Sequence, residues 1–124
     1  MSSADLQGCR VLVVEDEYML AEDLRSDLDE AGAIVLGPVG KLKQALDLIG
    51  AEERIDGAVL DVNLGGEKVY PVADQLIRRG VPIIFTTGYD ASAIPACYSQ
   101  IARCEKPVNI NKVAAAIGKL IHDK

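Results

Sequence analysis

Asp56-Gly57-Ala58-Val59-Leu60-Asp61 is an apolar run that ends abruptly on a carboxylate, near the middle of a 124-residue chain. With no polar alternation between Gly57 and Asp61, it predicts a central strand covered on both faces. Asp61 then emerges at the carboxyl edge of the sheet, where open α/β sheets carry their chemistry. Working outward, Arg10-Val11-Leu12-Val13-Val14 is a second such run and stops at three acids, Glu15-Asp16-Glu17. Ala33-Ile34-Val35-Leu36, closed by Gly37-Pro38, predicts another strand, and Val81 to Thr87 a further one ending on small polar residues. Ile101 to Cys104 is a weaker fifth, followed by Glu105-Lys106-Pro107.

Between these runs the apolar period lengthens to that of a helix. Leu20, Leu24, Leu28 and Ala31 form one stripe, which Gly32 can terminate. Leu42, Ala45, Leu46 and Ile49 form a second; Val69, Val72, Ala73, Leu76 and Ile77 a third, ended by Gly80, with Pro71 required to lie in the first turn. Gly88 to Gln100 is irregular, and Pro95 predicts a short or distorted helix. Ile110, Val113, Ala114, Ile117, Leu120 and Ile121 make the closing helix. Five strand and helix alternations predict a parallel sheet with helices on both faces and right-handed crossovers. The loops after strands one, three, four and five then share one edge.

The totals narrow the function. The length fits one domain. Thirteen basic against nineteen acidic side chains leave a net charge of -6 without a basic run, which disfavours nucleic acid as a direct partner. Cys9, Cys97 and Cys104 are an odd number with no C-x-x-C spacing and one histidine in the chain, so reduced thiols are expected rather than a zinc site. No apolar stretch reaches the roughly 18 residues of a membrane span, and neither signal peptide nor anchor is visible. A cytoplasmic protein is expected.

The shared edge would receive Glu15, Asp16, Asp61, Thr87 and Lys106. Carboxylates brought together repel unless a cation sits among them, and oxygen ligands without His or Cys favour Mg²⁺. A phosphoryl group on Asp61 would supply the anionic guest, with the Lys106 ammonium and the Thr87 hydroxyl stabilising charge on its oxygens. The site reads as a carboxylate nucleophile that yields an aspartyl phosphate. Singly, each signal has a plain structural explanation: an acid run caps a helix, and an Asp or a Thr-Gly closes a strand. Together, each at the end of its own strand, they are far more specific.

Val13-Val14-Glu15-Asp16-Glu17, Leu60-Asp61, Thr87-Gly88 and Lys106-Pro107 resemble the acidic pair, phosphoacceptor, switch hydroxyl and site lysine of bacterial two-component response-regulator receiver domains. The likeness runs from about Cys9 to Ile121 and implies a receiver over residues 9–122 behind a polar extension, 1–8. It implies a three-layer (βα)5 flavodoxin-like fold with strand order 2-1-3-4-5. It further implies that a sensor histidine kinase or a histidine phosphotransfer protein donates a phosphoryl group to Asp61. Asp16 and Asp61 would bind Mg²⁺, with Glu15 assisting and the main-chain carbonyl of Asn63 as a further ligand; Thr87, Gly88 and Lys106 would hold the phosphoryl group. Phe85-Thr86-Thr87-Gly88-Tyr89 resembles the F-A-T-G-Y variant paired with HWE-type kinases, with Thr86 in place of its Ala. Receivers usually carry an aromatic residue three positions before the lysine; here it is Arg103, which points the outgoing signal toward the Thr87 to Tyr89 loop. Asn63 and Tyr89 occupy positions that in receivers flank the attacking water, so Asn63, Tyr89 and Arg103 are candidate modulators. The expected role is a single-domain phosphorelay protein that is no enzyme beyond its own phosphorylation and slow autodephosphorylation, and that signals through altered protein contacts to a downstream target. The rivals are a Mg²⁺-dependent phosphatase with an aspartyl intermediate, which would carry its nucleophile on the first strand, and a phosphorylation-independent scaffold.

Overall fold

The computed structural model describes residues 6–88 and 94–123. The apolar runs become β1 (Arg10–Val14), β2 (Ile34–Val39), β3 (Gly57–Asp61), β6 (Ile83–Thr87) and β7 (Ala102–Glu105), joined by parallel pairings in the order β2-β1-β3-β6-β7. This is the five-stranded parallel sheet expected, with the first run in the second place. The helices are α1 (Tyr18–Glu30), α2 (Leu42–Ala51), α3 (Tyr70–Arg78) and α4 (Ile110–His122). Pro71 sits in the first turn of α3, where its missing N–H has no carbonyl to serve.

Because side chains alternate across each strand, the sheet divides two cores. Leu12, Ala58, Leu60, Ile83 and Phe85 pack with Ile49 of α2 and with Val72 and Leu76 of α3. Val11, Val13, Val59 and Ile84 pack on the other face with Leu24 and Leu28 of α1 and with Val113 and Ile117 of α4. Leu6, within the stretch read as a polar extension, joins this second core, fully buried, and its N–H donates to the Ala31 carbonyl at 3.0 Å.

Two details depart from the sequence reading. β2 does not close at Gly37-Pro38 but runs through it to Val39, which an edge strand permits because one side of it needs no ladder hydrogen bond. The stretch behind Asp61 is not a plain loop: β4 (Asn63–Leu64) and β5 (Glu67–Lys68) pair antiparallel around Gly65-Gly66. Both glycines have positive φ, 61° and 101°, as a two-residue hairpin turn requires. The described part of the irregular segment forms a single 3₁₀ turn, Ala96–Tyr98, the short helix expected after Pro95; residues 89–93 lie outside the described residues. None of the three cysteines is joined in a disulfide. No described helix is long and apolar enough to cross a membrane.

Candidate functional site

The parallel sheet brings the predicted residues to one edge. Glu15 and Asp16 follow β1, Asp61 ends β3, Thr87 ends β6, and Lys106 follows β7. Backbone bonds lock these ends together: the Glu15 N–H donates to Val39 O at 2.9 Å, and the Lys106 N–H to Thr87 O at 2.6 Å. Asp16, Asp61, Asn63, Thr87, Gly88 and Lys106 line one cavity of about 530 Å³. Glu15 does not reach it; it is only 3% exposed.

Asp61 is 4% exposed. Its Oδ1 accepts from the Asn63 N–H at 3.1 Å and its Oδ2 from Lys106 Nζ at 3.1 Å. Lys106 Nζ also reaches Glu15 Oε2 at 3.4 Å and Glu17 Oε2 at 3.9 Å. One ammonium thus serves several carboxylates. Burial pushes the Glu15 carboxyl up to about 8, reinforced by its hydrogen bond with Asp61 and that group's charge, against the Glu17 N–H and Lys106. Burial alone would lower the Lys106 pKa, but hydrogen bonds and charge from Asp61 and Glu15 outweigh it and hold the ammonium charged.

Three buried oxygens have no hydrogen-bond partner among the described residues: Glu15 Oε1, Thr86 Oγ1 and Thr87 Oγ1. An unpaired buried polar atom is costly, so such atoms mark a place where a guest is expected. Ligand oxygens of Glu15, Asp16 and Asp61 all lie within 4.8 Å of one another. An all-oxygen set that includes an unpartnered buried carboxylate oxygen fits a small hard dication. Gly40 lets β2 approach this set closely: a Cβ there would stand 3.2 Å from Asp16 Cα.

Arg103 is exposed on β7, in register with Phe85. The aromatic mass lies elsewhere. Tyr70 and Tyr98 stack with centroids 4.7 Å apart, both edge-on to Phe85, and the Tyr98 hydroxyl donates to Asp74 Oδ1 at 2.6 Å. The sequence reading did not single out Tyr70 or Lys68, both of which line the cavity. Gly65-Gly66 was the available signal, since a Gly-Gly turn folds Lys68 back beside Asn63.

Comparison with known proteins agrees with this geometry. The model of the response regulator receiver domain matches residues 11–117. An uncharacterized response regulatory protein of Yersinia pestis is 31% identical over 92% of this chain, and an uncharacterized transcriptional regulatory protein of Bacillus subtilis 28% over 64%. The chain spans 49% and 35% of those two relatives. The solution structure of SdrG from Sphingomonas melonis Fr1 is 32% identical, with a TM-score of 0.77 and 98% of both chains covered. The BeF3-activated conformation of SdrG from Pseudomonas melonis Fr1 is 34% identical, with a TM-score of 0.72 over 90% of this chain and 95% of that one. PhyR of Brucella abortus, 22% identical with a TM-score of 0.80, shares the fold over 98% of this chain and 50% of its own. The chain therefore belongs to the response regulator receiver domain family, the signalling proteins of two-component systems.

Proposed function

We propose that Asp61 accepts a phosphoryl group from a phosphohistidine of a sensor histidine kinase or a histidine phosphotransfer protein. The observation that carries this is the convergence of Asp61, Thr87 and Lys106 on one cavity. An Asp61 carboxylate oxygen attacks phosphorus, the P–N bond of the donor breaks, and its electron pair returns to the imidazole. Lys106, already 3.1 Å from Asp61, offsets charge on the transferred oxygens. The Thr87 hydroxyl, buried and unpartnered, is free to donate to one of them. Glu15, Asp16, Asp61 and the Asn63 carbonyl would hold Mg²⁺, which supplies charge neutralisation for the phosphoryl oxygens.

The signal then leaves by altered protein contacts, because a modification shifts an equilibrium only through differential interaction with two states. We read residues 9–122 as the receiver unit and its role as that of a single-domain cytoplasmic relay without direct nucleic-acid contact. The Phe85-Thr86-Thr87-Gly88 run supports the F-A-T-G-Y subclass and an HWE-type kinase. Tyr89, outside the described residues, and Asn63 would modulate the phosphate lifetime, and Arg103 the route of the outgoing signal.

Incubation with Mg²⁺ and acetyl phosphate, followed by intact mass, is expected to add one phosphoryl group to the wild type and none to Asp61→Asn. Beryllofluoride should perturb the spectrum of the wild type alone, in keeping with the SdrG structure described as BeF3-activated. A wild type that neither gains mass nor responds to beryllofluoride overturns the reading, and steady turnover of many phosphate esters would favour a phosphatase.

A further inference from the structure

We propose that Lys68 is a second cationic positioning residue of the phosphoryl site, acting at the rim of the cavity opposite the role of Lys106 in its depth. The inference deepens the proposed phosphoacceptor function and rests on it. Lys68 lines the cavity that holds Asp61, Thr87 and Lys106, yet it is exposed. Its ammonium forms no ion pair with any described residue, whereas Lys106 is shared among Asp61, Glu15 and Glu17.

The hairpin fixes where Lys68 stands. Gly65 and Gly66 reverse the chain so that Lys68 pairs with Asn63, whose N–H is bonded to Asp61 Oδ1. The Asn63 side chain accepts from the Gly66 N–H at 2.8 Å, and the Val69 N–H returns to Val62 O at 2.9 Å. An ammonium without an ion pair among the described residues is thereby anchored, through six residues of closed backbone, to the nucleophile itself. In a chain of net charge -6, an anionic phosphodonor approaching the acidic sheet edge meets repulsion, and a cation at the entrance lowers it. Lys68 transfers no proton: Asp61 bonds to phosphorus, the P–O bond of acetyl phosphate breaks, and acetate departs with the electron pair.

The test measures the second-order rate of phosphorylation by acetyl phosphate with Mg²⁺ present, at low and high salt, for wild type, Lys68→Gln and Lys68→Arg. Lys68→Gln should slow the reaction roughly three- to tenfold at low ionic strength, with most of the deficit gone at about 0.5 M salt, and Lys68→Arg should restore the rate. The salt slope separates charge positioning from a structural effect of the hairpin, which would persist in high salt and be unmoved by arginine. If the wild type is phosphorylated and Lys68→Gln matches it at every salt concentration, the Lys68 role fails alone. If the wild type is not phosphorylated at all, the failure lies with the phosphoacceptor reading.

Discussion

Glu15 is where the cost of assembling the site concentrates. It is buried beneath the cavity with one oxygen unpartnered, and its carboxyl is raised from 4.5 to about 8. A raised folded-state pKa means that the native protein binds more protons than the unfolded chain between those values, so stability falls as pH rises through that window. In EDTA, the thermal midpoint should drop on the order of 5 °C or more between pH 5 and pH 8.5 from this group. Glu15→Gln, which mimics the protonated form, should flatten that slope, and calorimetry of the two proteins side by side decides it. An equal slope in both would place the titration elsewhere. Because a dication must displace the proton, Mg²⁺ should bind more tightly at pH 8.5 than at pH 6, with proton release visible by titration calorimetry in different buffers. Wild type and Glu15→Gln releasing the same number of protons would contradict it.

At the scale of elements, the 3₁₀ turn Ala96–Tyr98 is held to α3 by one side chain. The Tyr98 hydroxyl bonds to Asp74, and its ring lies on Tyr70, which lines the cavity. The Asp74 bond, with burial, pushes the Tyr98 phenol well above its usual range. Tyr98→Phe keeps the stack and removes the bond, so urea unfolding should show a loss of about 1–2 kcal/mol, while Tyr98→Ala loses the ring as well and should cost about 3 kcal/mol or more. Equal losses would mean that the stack contributes nothing. Pro95 made the short helix legible in the sequence, but not the Tyr98 contacts, because a three-residue turn is too short to show a period. The apolar runs of β1, β3 and β6 were legible because both their faces are buried, and with them Glu15, Asp61 and Thr87, each fixed to a strand end by its neighbours in the chain. Lys68 and Tyr70 were missed for the opposite reason. Their place in the cavity depends on a hairpin of two-residue strands and on the start of α3, both set by tertiary context. The continuation of β2 past Pro38 was hidden likewise, since only its position at the sheet edge makes it tolerable.

Across the whole molecule, one sheet is shared by two cores and carries the site at its end. Val59 and Leu60 are adjacent on β3 and face opposite cores, each at most 1% exposed, and the next residue is Asp61. Neither core can open without exposing the other's strands, so the fold should unfold as a unit. Leu60→Ala should cost about 2–5 kcal/mol and Val59→Ala about 2 kcal/mol, each with a single urea transition that coincides by circular dichroism and tyrosine fluorescence. Separate transitions would show that the two faces are independently stable. The strand-end backbone is meanwhile held by its own bonds, Lys106 to Thr87 and Val62 to Thr86, which neither truncation touches. Well below the unfolding midpoint, both variants should therefore take phosphate from acetyl phosphate within about twofold of the wild-type rate, whereas Asp61→Asn abolishes the reaction while leaving the cooperative transition in place. A truncation in either core that slowed phosphorylation as much as it lowered stability would mean that packing, and not the edge bonds, sets the geometry of Asp61.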